Sequence, residues 1–373
     1  MALILDSLEI HNFRGLKELC IDRLGRVNLL TGKNNVGKSS VLEALRLYAR
    51  PGDASELFDL LAERHEFAQE ASYRSSPDAS ASYPFENLFF GRHPLPSDGW
   101  GSGITVGPSD QPEKVLEVTW HPGERLRERS DTGMAEPPPQ VSVSPNEPFL
   151  FFQLGSLFAR VTAADLIPPR RYRQLTRLAV AEEASLIPMV YRGARTDSRE
   201  KLAMLWDRVA LTPLEDDAYA ALRIIAPEVE RLVMKPLVIG SASRVPFVKL
   251  KGQDQSIALR SMGDGIDRLF GIALGMVNAK NGFLLIDEVE NGLHYSIQLQ
   301  LWRLLFSVAR RLNIQVFATT HSSDCIRSFD VAARESQEDG VVIRLAQKND
   351  RILVAEFDEN ELGIAVEGQI EVR

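Results

Sequence analysis

The stretch that decides the fold is Val27-Asn28-Leu29-Leu30-Thr31-Gly32-Lys33-Asn34-Asn35-Val36-Gly37-Lys38-Ser39. Its apolar start predicts a short strand that ends in a glycine-rich loop, and apolar residues then recur at helical spacing from Val41 to Tyr48. The spacing G-x-x-x-x-G-K-[ST] in this context predicts a phosphate site, because glycine backbone N–H groups and the helix N-terminus stabilise phosphate. Lys38 is expected to reach the β/γ-phosphates, and the Ser39 hydroxyl to ligate Mg²⁺.

Composition limits the class of protein. The chain has 373 residues, 44% of them hydrophobic, and 43 Lys and Arg against 51 Asp and Glu give a net charge of −8. No overall basic field indicates nucleic acid, so DNA contact would need a local patch or a partner. Two cysteines do not make a disulfide framework. Alternation from Met1 to Asn12 predicts a strand and not a signal peptide, and no apolar run reaches the ~20 residues of a membrane span, so we expect a cytoplasmic protein.

Composition also divides the chain into four segments. Residues 1–71 are predicted to form an N-terminal lobe that carries the glycine loop, and residues 72–160 an antiparallel β insertion rich in Pro, Gly and Ser. Residues 161–232 are predicted to form a helical subdomain, and residues 233–373 a C-terminal lobe. Within these segments we expect a strand at Val115–Trp120, disorder at Asp131–Pro139, helix over Asp197–Ile225 with Leu202, Leu205, Trp206 and Val209 on one face, and β-hairpins over Val233–Leu259.

An acidic pair follows a continuous apolar run. Gly282–Ile286 is typical of a central parallel strand buried on both faces, and Asp287 and Glu288 come directly after it. Ligands of doubly wound sheets lie beyond the carboxyl ends of strands, so both acids should face the phosphate loop. Asp287 is expected to hold the Mg²⁺ shell and Glu288 to polarise the attacking water. The alternative is a pair of solvated acids that ends an ordinary strand.

A histidine ends the next predicted strand. Ile314–Ala318 leads into Thr319-Thr320-His321, and we expect this strand to neighbour the acidic one, so that His321 senses the γ-phosphate. The competing histidine, His294, lies in a loop with Glu290, Asn291 and Gly292, which we assign to contact across a dimer.

The turn Ser261-Met262-Gly263-Asp264-Gly265 precedes a predicted helix. Ser261 as an N-cap followed by glycines would expose N–H groups to an anion, although simple helix capping is the better explanation of this segment taken alone. In a lone protomer this turn would lie too far from its own phosphate loop. We therefore expect it to complete the γ-phosphate site of a second copy. The helix is predicted to bury Ile266, Leu269, Phe270, Ala273 and Met276.

With these residues the chain resembles the ABC-type ATPase heads of the SMC, RecF and OLD (overcoming lysogenization defect) group, and most closely the short OLD-like bacterial AAA-family ATPases without a Toprim nuclease domain. The resemblance is strongest over Ile10–Leu47 and Leu259–Ser323. Its most specific elements are Asn12-Phe13-Arg14-Gly15, Asp287–His294, Thr319–Ser322 and the terminal Glu371-Val372-Arg373.

The resemblance implies an α/β fold, a P-loop ABC-type head with a mixed β-sheet, together with the β insertion and the helical subdomain. It implies ATP and Mg²⁺ as cofactors, Ser39 and Asp287 as metal ligands, and Glu288, His321 and Lys38 as catalytic residues. Ser261 and Gly263 would act in trans as signature residues. The nucleotide-binding residues would be Gly32, Asn34, Asn35, Gly37, Lys38, Ser39, Ser40, Arg14, Ser261 and Gly263.

The expected function is an ATP-hydrolysing head that dimerises, or forms a higher homo-oligomer, around Mg-ATP and so controls a partner effector or DNA, in phage defence or DNA repair. A separately encoded nuclease or Toprim-type effector is the expected partner, with DNA possible and no membrane. The alternatives are a nucleotide-gated binding module with negligible turnover and a transporter ATPase subunit. The basic stretch Arg170, Arg171, Arg173 and Arg177 is either a phosphate-backbone patch or a solvated helix face.

Overall fold

A computed structural model describes residues 2–66, 84–92, 103–121, 149–162, 164–166, 186–194, 198–224, 226–236, 243–336, 340–348, 351–358 and 361. The strands are β1 (Leu8–Phe13), β2 (Leu16–Ile21), β3 (Val27–Thr31), β4 (Ile104–Gly107), β5 (Leu116–His121), β6 (Phe149–Leu154), β7 (Leu157–Thr162), β8 (Met189–Arg192), β9 (Val229–Pro236), β10 (Arg244–Leu250), β11 (Ser256–Ala258), β12 (Phe283–Ile286), β13 (Gln315–Thr319), β14 (Gly340–Lys348) and β15 (Arg351–Phe357). The α-helices are α1 (Lys38–Ala49), α2 (Ala54–Glu63), α3 (Arg199–Asp207), α4 (Glu215–Leu222), α5 (Asp264–Asn278), α6 (Tyr295–Leu312) and α7 (Ser323–Glu335). Short 3₁₀ turns occupy Pro84–Leu88, Phe90–Arg92, Pro112–Lys114, Ala164–Leu166 and Leu259–Met262.

The chain divides into two compact units. The first comprises Met1–Ser7, Ile21–Leu42 and Ile187–Arg373, and the second comprises Leu8–Cys20 and Glu43–Leu186. The phosphate loop and the later motifs all belong to the first unit, although more than 140 residues separate its second and third segments.

The first unit is built on a six-stranded sheet in the order β15-β14-β3-β13-β12-β8. Strands β8, β12, β13, β3 and β14 pair in parallel, whereas β15 pairs antiparallel to β14 at one edge. The prediction that the strand before His321 neighbours the acidic strand is confirmed, because Phe283–Ile286 pairs with Gln315–Ala318. Every residue of β3, β12 and β13 is buried, as the continuous apolar runs predicted.

Helices cover this sheet and complete one hydrophobic core. All five residues expected on the inner face of α5 are at most 2% exposed. Trp302 of α6 meets Phe329 of α7 edge to face, with ring centroids 4.9 Å apart. The four residues expected on one helical face, Leu202, Leu205, Trp206 and Val209, are also buried. The predicted helical segment Asp197–Ile225, however, contains two short helices, α3 and α4, with turns between them. Strands β9–β11 form the predicted hairpins as a separate three-stranded antiparallel sheet.

One local expectation was wrong. Ser261 is not an N-cap, because it lies within the 3₁₀ turn Leu259–Met262 and α5 starts one turn later. Gly263 occupies the N-cap position, with φ of 117°, a conformation that favours glycine. The glycine therefore ends the 3₁₀ turn and starts the helix.

The second unit contains an antiparallel sheet in the order β2-β1-β4-β5-β6-β7. The predicted insertion is thus joined to the N-terminal hairpin, since Glu9–His11 pairs with Thr105–Gly107. The expected strand at Val115–Trp120 is present as β5. Cross-strand pairing, which composition does not reveal, groups β1 and β2 with the insertion and not with the glycine loop.

Some predicted features lie outside the described residues, namely Asp131–Pro139, the basic stretch Arg170–Arg177 and the terminal Glu371-Val372-Arg373. Among the described helices, none combines the length and the apolar composition needed to cross a bilayer.

Candidate nucleotide site

The phosphate loop connects β3 to the first turn of α1, as predicted. Gly32 has φ of 132°, and a Cβ at this position would lie 2.3 Å from the carbonyl oxygen of Leu345 on β14, so only glycine fits. The loop is exposed at Asn34 and Asn35, and Asn35 adopts φ of 64°. Ser40, in contrast, is buried in the first turn of α1. The loop backbone is therefore shaped by its glycines and open to solvent at its tip.

Lys38 lies over its own loop. Its Nζ donates to the carbonyl oxygens of Gly32 at 2.6 Å and Lys33 at 2.9 Å. Burial lowers the pKa of the Lys38 ammonium, while the nearby carboxylates of Asp287, Glu288 and Glu290 act in the opposite direction. The positive charge is thus set between the glycine loop and a cluster of acids.

Ser39 and Asp287 are brought together from positions 248 residues apart. The Ser39 hydroxyl lies 3.0 Å from Oδ2 and 3.2 Å from Oδ1 of Asp287. Asp287 reaches this point because it directly follows β12, and its backbone N–H continues the parallel ladder by donating to the carbonyl of Arg192. Hydroxyl and carboxylate oxygens are the hard donors that Mg²⁺ prefers, so the pair fits this ion.

Thr319 joins both acids, a role that the sequence analysis did not assign. Its hydroxyl donates to Asp287 Oδ1 at 2.6 Å and accepts from the backbone N–H of Glu288 at 2.8 Å. Glu288 has φ of 49°, which is uncommon for a side chain of its size. The backbone therefore turns sharply at the acidic pair, and Thr319 holds the turn.

Arg268 of α5 holds the same segment from the helix side. Its guanidinium donates to the carbonyl oxygens of Asp287 at 2.8 Å, Glu288 at 3.2 Å and Gly193 at 2.5 Å. Burial lowers the pKa of Arg268. The signal in the sequence was the charged pair Asp267-Arg268 among the apolar residues of this helix, because a charge is rarely buried unless it is paired.

Buried Arg192 lies at the end of β8, next to the acidic strand. Burial and the neighbouring Arg268 charge lower the pKa of Arg192 to about 9. A Cβ at Gly271 on α5 would lie 1.7 Å from Arg192 Nη2. Gly271 thus gives the guanidinium its space against the helix.

His321 follows β13 and pairs with Glu290. Glu290 Oε1 lies 3.2 Å from His321 Nδ1 and accepts from the His321 backbone N–H at 3.0 Å. The Glu290 side chain is only 9% exposed. This side chain thus packs inside its own protomer, while the assignment of its loop to contact across a dimer stays a prediction.

His294 has a structural role. It is the N-cap of α6, where its Nδ1 accepts from the backbone N–H of Ser296, and its ring packs against Tyr295. This position agrees with assigning catalysis to another histidine.

The signature turn is open to solvent. Ser261 and Gly263 are both exposed, which leaves them accessible to a second copy. Their predicted action in trans stays a prediction.

Arg14 has a dense set of partners in the second unit. Its guanidinium lies 2.6 Å from Glu43 and 2.7 Å from Glu66, and it donates to the carbonyl oxygens of Leu60 and Asn87. These bonds account for its burial as a structural ion-pair centre. A role for Arg14 at the nucleotide stays a prediction.

Two acids near the C-terminal end of the described residues have structural partners. Glu356 accepts from the backbone N–H groups of Asp22 and Arg23, and Asp358 pairs with Arg23. Among the residues described, no group of three or more His, Cys, Asp and Glu side chains is arranged to hold a metal ion.

Comparison with known proteins shows that the chain is similar to ATPases. A family model described as an AAA ATPase domain matches residues 3–77 and 216–326, which include the phosphate loop, the signature turn, the acidic pair and His321. An ATP/GTP phosphatase of Helicobacter pylori is 25% identical over 355 residues, covering 89% of both chains. The chain belongs with the AAA ATPases.

Two further similarities concern part of a relative and the fold. The uncharacterized protein MJECL10 of Methanocaldococcus jannaschii is 33% identical over 96 residues, which are 23% of this chain and 44% of that relative. The chain therefore spans less than half the length of that protein. A Smc head domain with an extended coiled coil from Pyrococcus furiosus, solved with the C-terminal domain of ScpA, has a TM-score of 0.51 at 12% identity. The match covers 98% of this chain and 99% of that one. At this identity the likeness shows the fold, an SMC head-like α/β fold.

Proposed function

We propose that the chain binds ATP with Mg²⁺ at the Gly32–Ser39 loop and hydrolyses it. The observation that carries this proposal is the 3.0 Å contact between Ser39 and Asp287, which joins the phosphate loop to the acidic strand. A hydroxyl and a carboxylate next to a lysine on a glycine loop form the arrangement that phosphoryl transfer requires.

Each residue has a separate task in this proposal. Lys38 exchanges its two loop carbonyls for β- and γ-phosphate oxygens. Ser39 and Asp287 hold Mg²⁺, which supplies charge neutralisation to the phosphates when bound. Glu288 orients the attacking water and accepts its proton, and His321 contacts the γ-phosphate. The rigid turn at Thr319 and Arg268 supports the placement of Glu288, because a small displacement of such a group lowers the rate strongly.

A second copy would complete each site. The exposed Ser261–Gly263 turn lies at the start of α5, and a γ-phosphate shared between this turn and the partner's phosphate loop would favour an ATP-held homodimer. Opening after hydrolysis would then switch a partner between two states. Control of an effector protein or DNA, in phage defence or DNA repair, is the role we propose for this cycle.

The test compares Glu288→Gln with Lys38→Ala, using Glu335→Gln as a matched control for charge removal at an exposed ion pair. Glu288→Gln is expected to bind ATP, lose turnover and accumulate as a dimer in sedimentation. Lys38→Ala is expected to lose binding, and the control to match the parent protein. Wild-type turnover in Glu288→Gln would refute the assignment of the base. A turnover per protomer that does not change on dilution to monomers would refute the shared site.

A further inference from the structure

The contact between Glu290 and His321 extends the ladder between β12 and β13 beyond both strands. Ile286 pairs with Ala318, the Glu288 N–H then donates to the Thr319 hydroxyl, and the Val289 N–H donates to the Thr319 carbonyl. The next contact in this series joins the His321 backbone N–H to the Glu290 carboxylate. The placement of the histidine therefore depends on successive contacts and not on one surface ion pair.

The two members of the pair differ in burial. The Glu290 side chain is 9% exposed, whereas the His321 side chain is 55% exposed. One carboxylate oxygen, Oε1, contacts both the ring and the backbone N–H of His321. The other oxygen, Oε2, is buried, with no hydrogen-bond partner among the described residues. The Glu290 carboxylate is thus buried, whereas the imidazole ring that it contacts is largely exposed to solvent.

A carboxylate has only acceptor sites, so the 3.2 Å contact between Glu290 Oε1 and Nδ1 favours the form of His321 that carries its proton on Nδ1. This leaves Nε2 as the nitrogen available to a ligand. A buried carboxylate that fixes the tautomer and orientation of a histidine has a large effect on the function of that ring.

We propose that Glu290 is the positioning residue of the switch histidine, fixing His321 with its proton on Nδ1 so that Nε2 meets the γ-phosphate. This inference rests on the proposed function for its effect on turnover. It gives the acid three residues after Asp287 a role within its own protomer, separate from the water-orienting role of Glu288.

Kinetics test the pair through a double-mutant cycle. Glu290→Ala and His321→Ala are each expected to lower kcat by about 10- to 100-fold, as for other residues that orient a functional histidine. The double variant should lose no more kcat than His321→Ala alone, because both changes disrupt the same Glu290–His321 pair. Glu290→Gln should retain most activity, since an amide oxygen accepts the same hydrogen bond from the His321 backbone N–H and presents an acceptor to Nδ1. Losses that multiply in the double variant, or wild-type kcat in Glu290→Ala, would overturn the inference.

The tautomer gives a readout that does not depend on turnover. Protein labelled with ¹⁵N-histidine has six such residues, and the His321 signal is the one that disappears in His321→Ala. We expect the Nδ1–H form in the parent protein and Glu290→Gln, and its loss in Glu290→Ala. His294, whose Nδ1 accepts from Ser296, should show the Nε2–H form in every variant and reports that the fold is intact.

The two proposals fail separately. An inactive parent protein with the Nδ1–H form would refute the proposed hydrolysis and leave the role of Glu290 standing. An active protein whose His321 tautomer does not respond to Glu290→Ala would overturn the inference alone.

Discussion

Arg268 Nη2 lies 2.8 Å from the carbonyl oxygen of Asp287, so the helix that starts at the exposed signature turn holds the backbone of the acidic strand. The same guanidinium reaches Glu288 and Gly193. A planar group with several donors can serve three acceptors at once, which a lysine ammonium on a flexible stem does poorly. This contact links the helix that follows the signature turn to the acidic pair after β12, two parts of the proposed site that are apart in the sequence.

Arg268→Lys is expected to retain ATP binding and to lower turnover, because the carbonyls of Asp287 and Glu288 lose part of their support. Arg268→Gln should lower turnover further and destabilise the fold, by up to about 1–3 kcal/mol for each part-buried carbonyl left without a partner. Turnover, nucleotide affinity and urea unfolding measure these effects. Arg327→Gln, at an exposed cation, is the control. Full activity in Arg268→Gln would show that the contact does not position Glu288.

Thr319→Val should destabilise the acidic turn. Valine has nearly the same shape but lacks the hydroxyl that Asp287 and Glu288 share, so the free energy of unfolding should fall by about 1–3 kcal/mol and the apparent Mg²⁺ affinity with it. Thr319→Ser keeps the hydroxyl and should behave much more like the parent protein. Chemical unfolding and a Mg²⁺ titration of ATPase rate are the measurements. Equal behaviour of the two variants would exclude the hydroxyl as the cause.

Gly271→Ala tests the packing of the helix against Arg192. An alanine in a helix interior is normally favourable by about 1 kcal/mol relative to glycine, but the added Cβ would meet Arg192 Nη2 at 1.7 Å. Since Arg192 is fully buried, we expect a net destabilisation of about 1–3 kcal/mol in urea unfolding. In an Arg192→Met background the same substitution should cost less. A stabilised Gly271→Ala protein would contradict the packing.

The two cysteines should differ in reactivity. Cys20 is exposed, whereas Cys325 is buried, and burial together with the Glu290 charge raises the pKa of its thiol to about 12. Alkylation at pH 8 should therefore modify one thiol per chain in the native state and two after denaturation, counted by mass spectrometry. Rapid double labelling of the native protein would contradict the burial.

The raised pKa of Cys325 also fixes the sign of a stability effect. The unfolded thiol loses its proton above its ordinary pKa of 9.0, while the native thiol keeps it until about 12. The contribution of the buried Cys325 thiol to the free energy of unfolding is therefore fully present below pH 9 and decreases as pH rises above that value. In Cys325→Ala the corresponding loss of stability between pH 9 and pH 11 should be smaller.

Local patterns predicted the parts of the site that lie in short segments. The strand, glycine loop and helix around Gly32–Ser39 follow from apolar periodicity and glycine spacing, and the buried strand before Asp287 follows from its unbroken apolar run. These predictions succeeded because hydrogen bonding and burial within a few residues determine them. The predicted N-cap at Ser261 was wrong, since Ser261 lies in a 3₁₀ turn and the N-cap of α5 is Gly263.

Other contacts could not be predicted, because they join distant segments. Nothing local in Thr319 indicates that its hydroxyl serves both acids, and Glu290 reads as part of a surface loop until its carboxylate is found on His321. The N-terminal hairpin likewise pairs with β4, a partner that composition did not indicate.

The sequence by itself was enough to predict the nucleotide-binding chemistry that we propose, since the loop glycines, Lys38, Ser39, Asp287 and Glu288 are recognised by residue type and spacing. Only the tertiary structure decided which groups hold that chemistry in place, because Arg268, Thr319 and Glu290 act through backbone and side-chain atoms of strands that meet only when the parallel sheet forms. Residue type specifies what an atom can do, whereas its position relative to atoms far along the chain is fixed by packing.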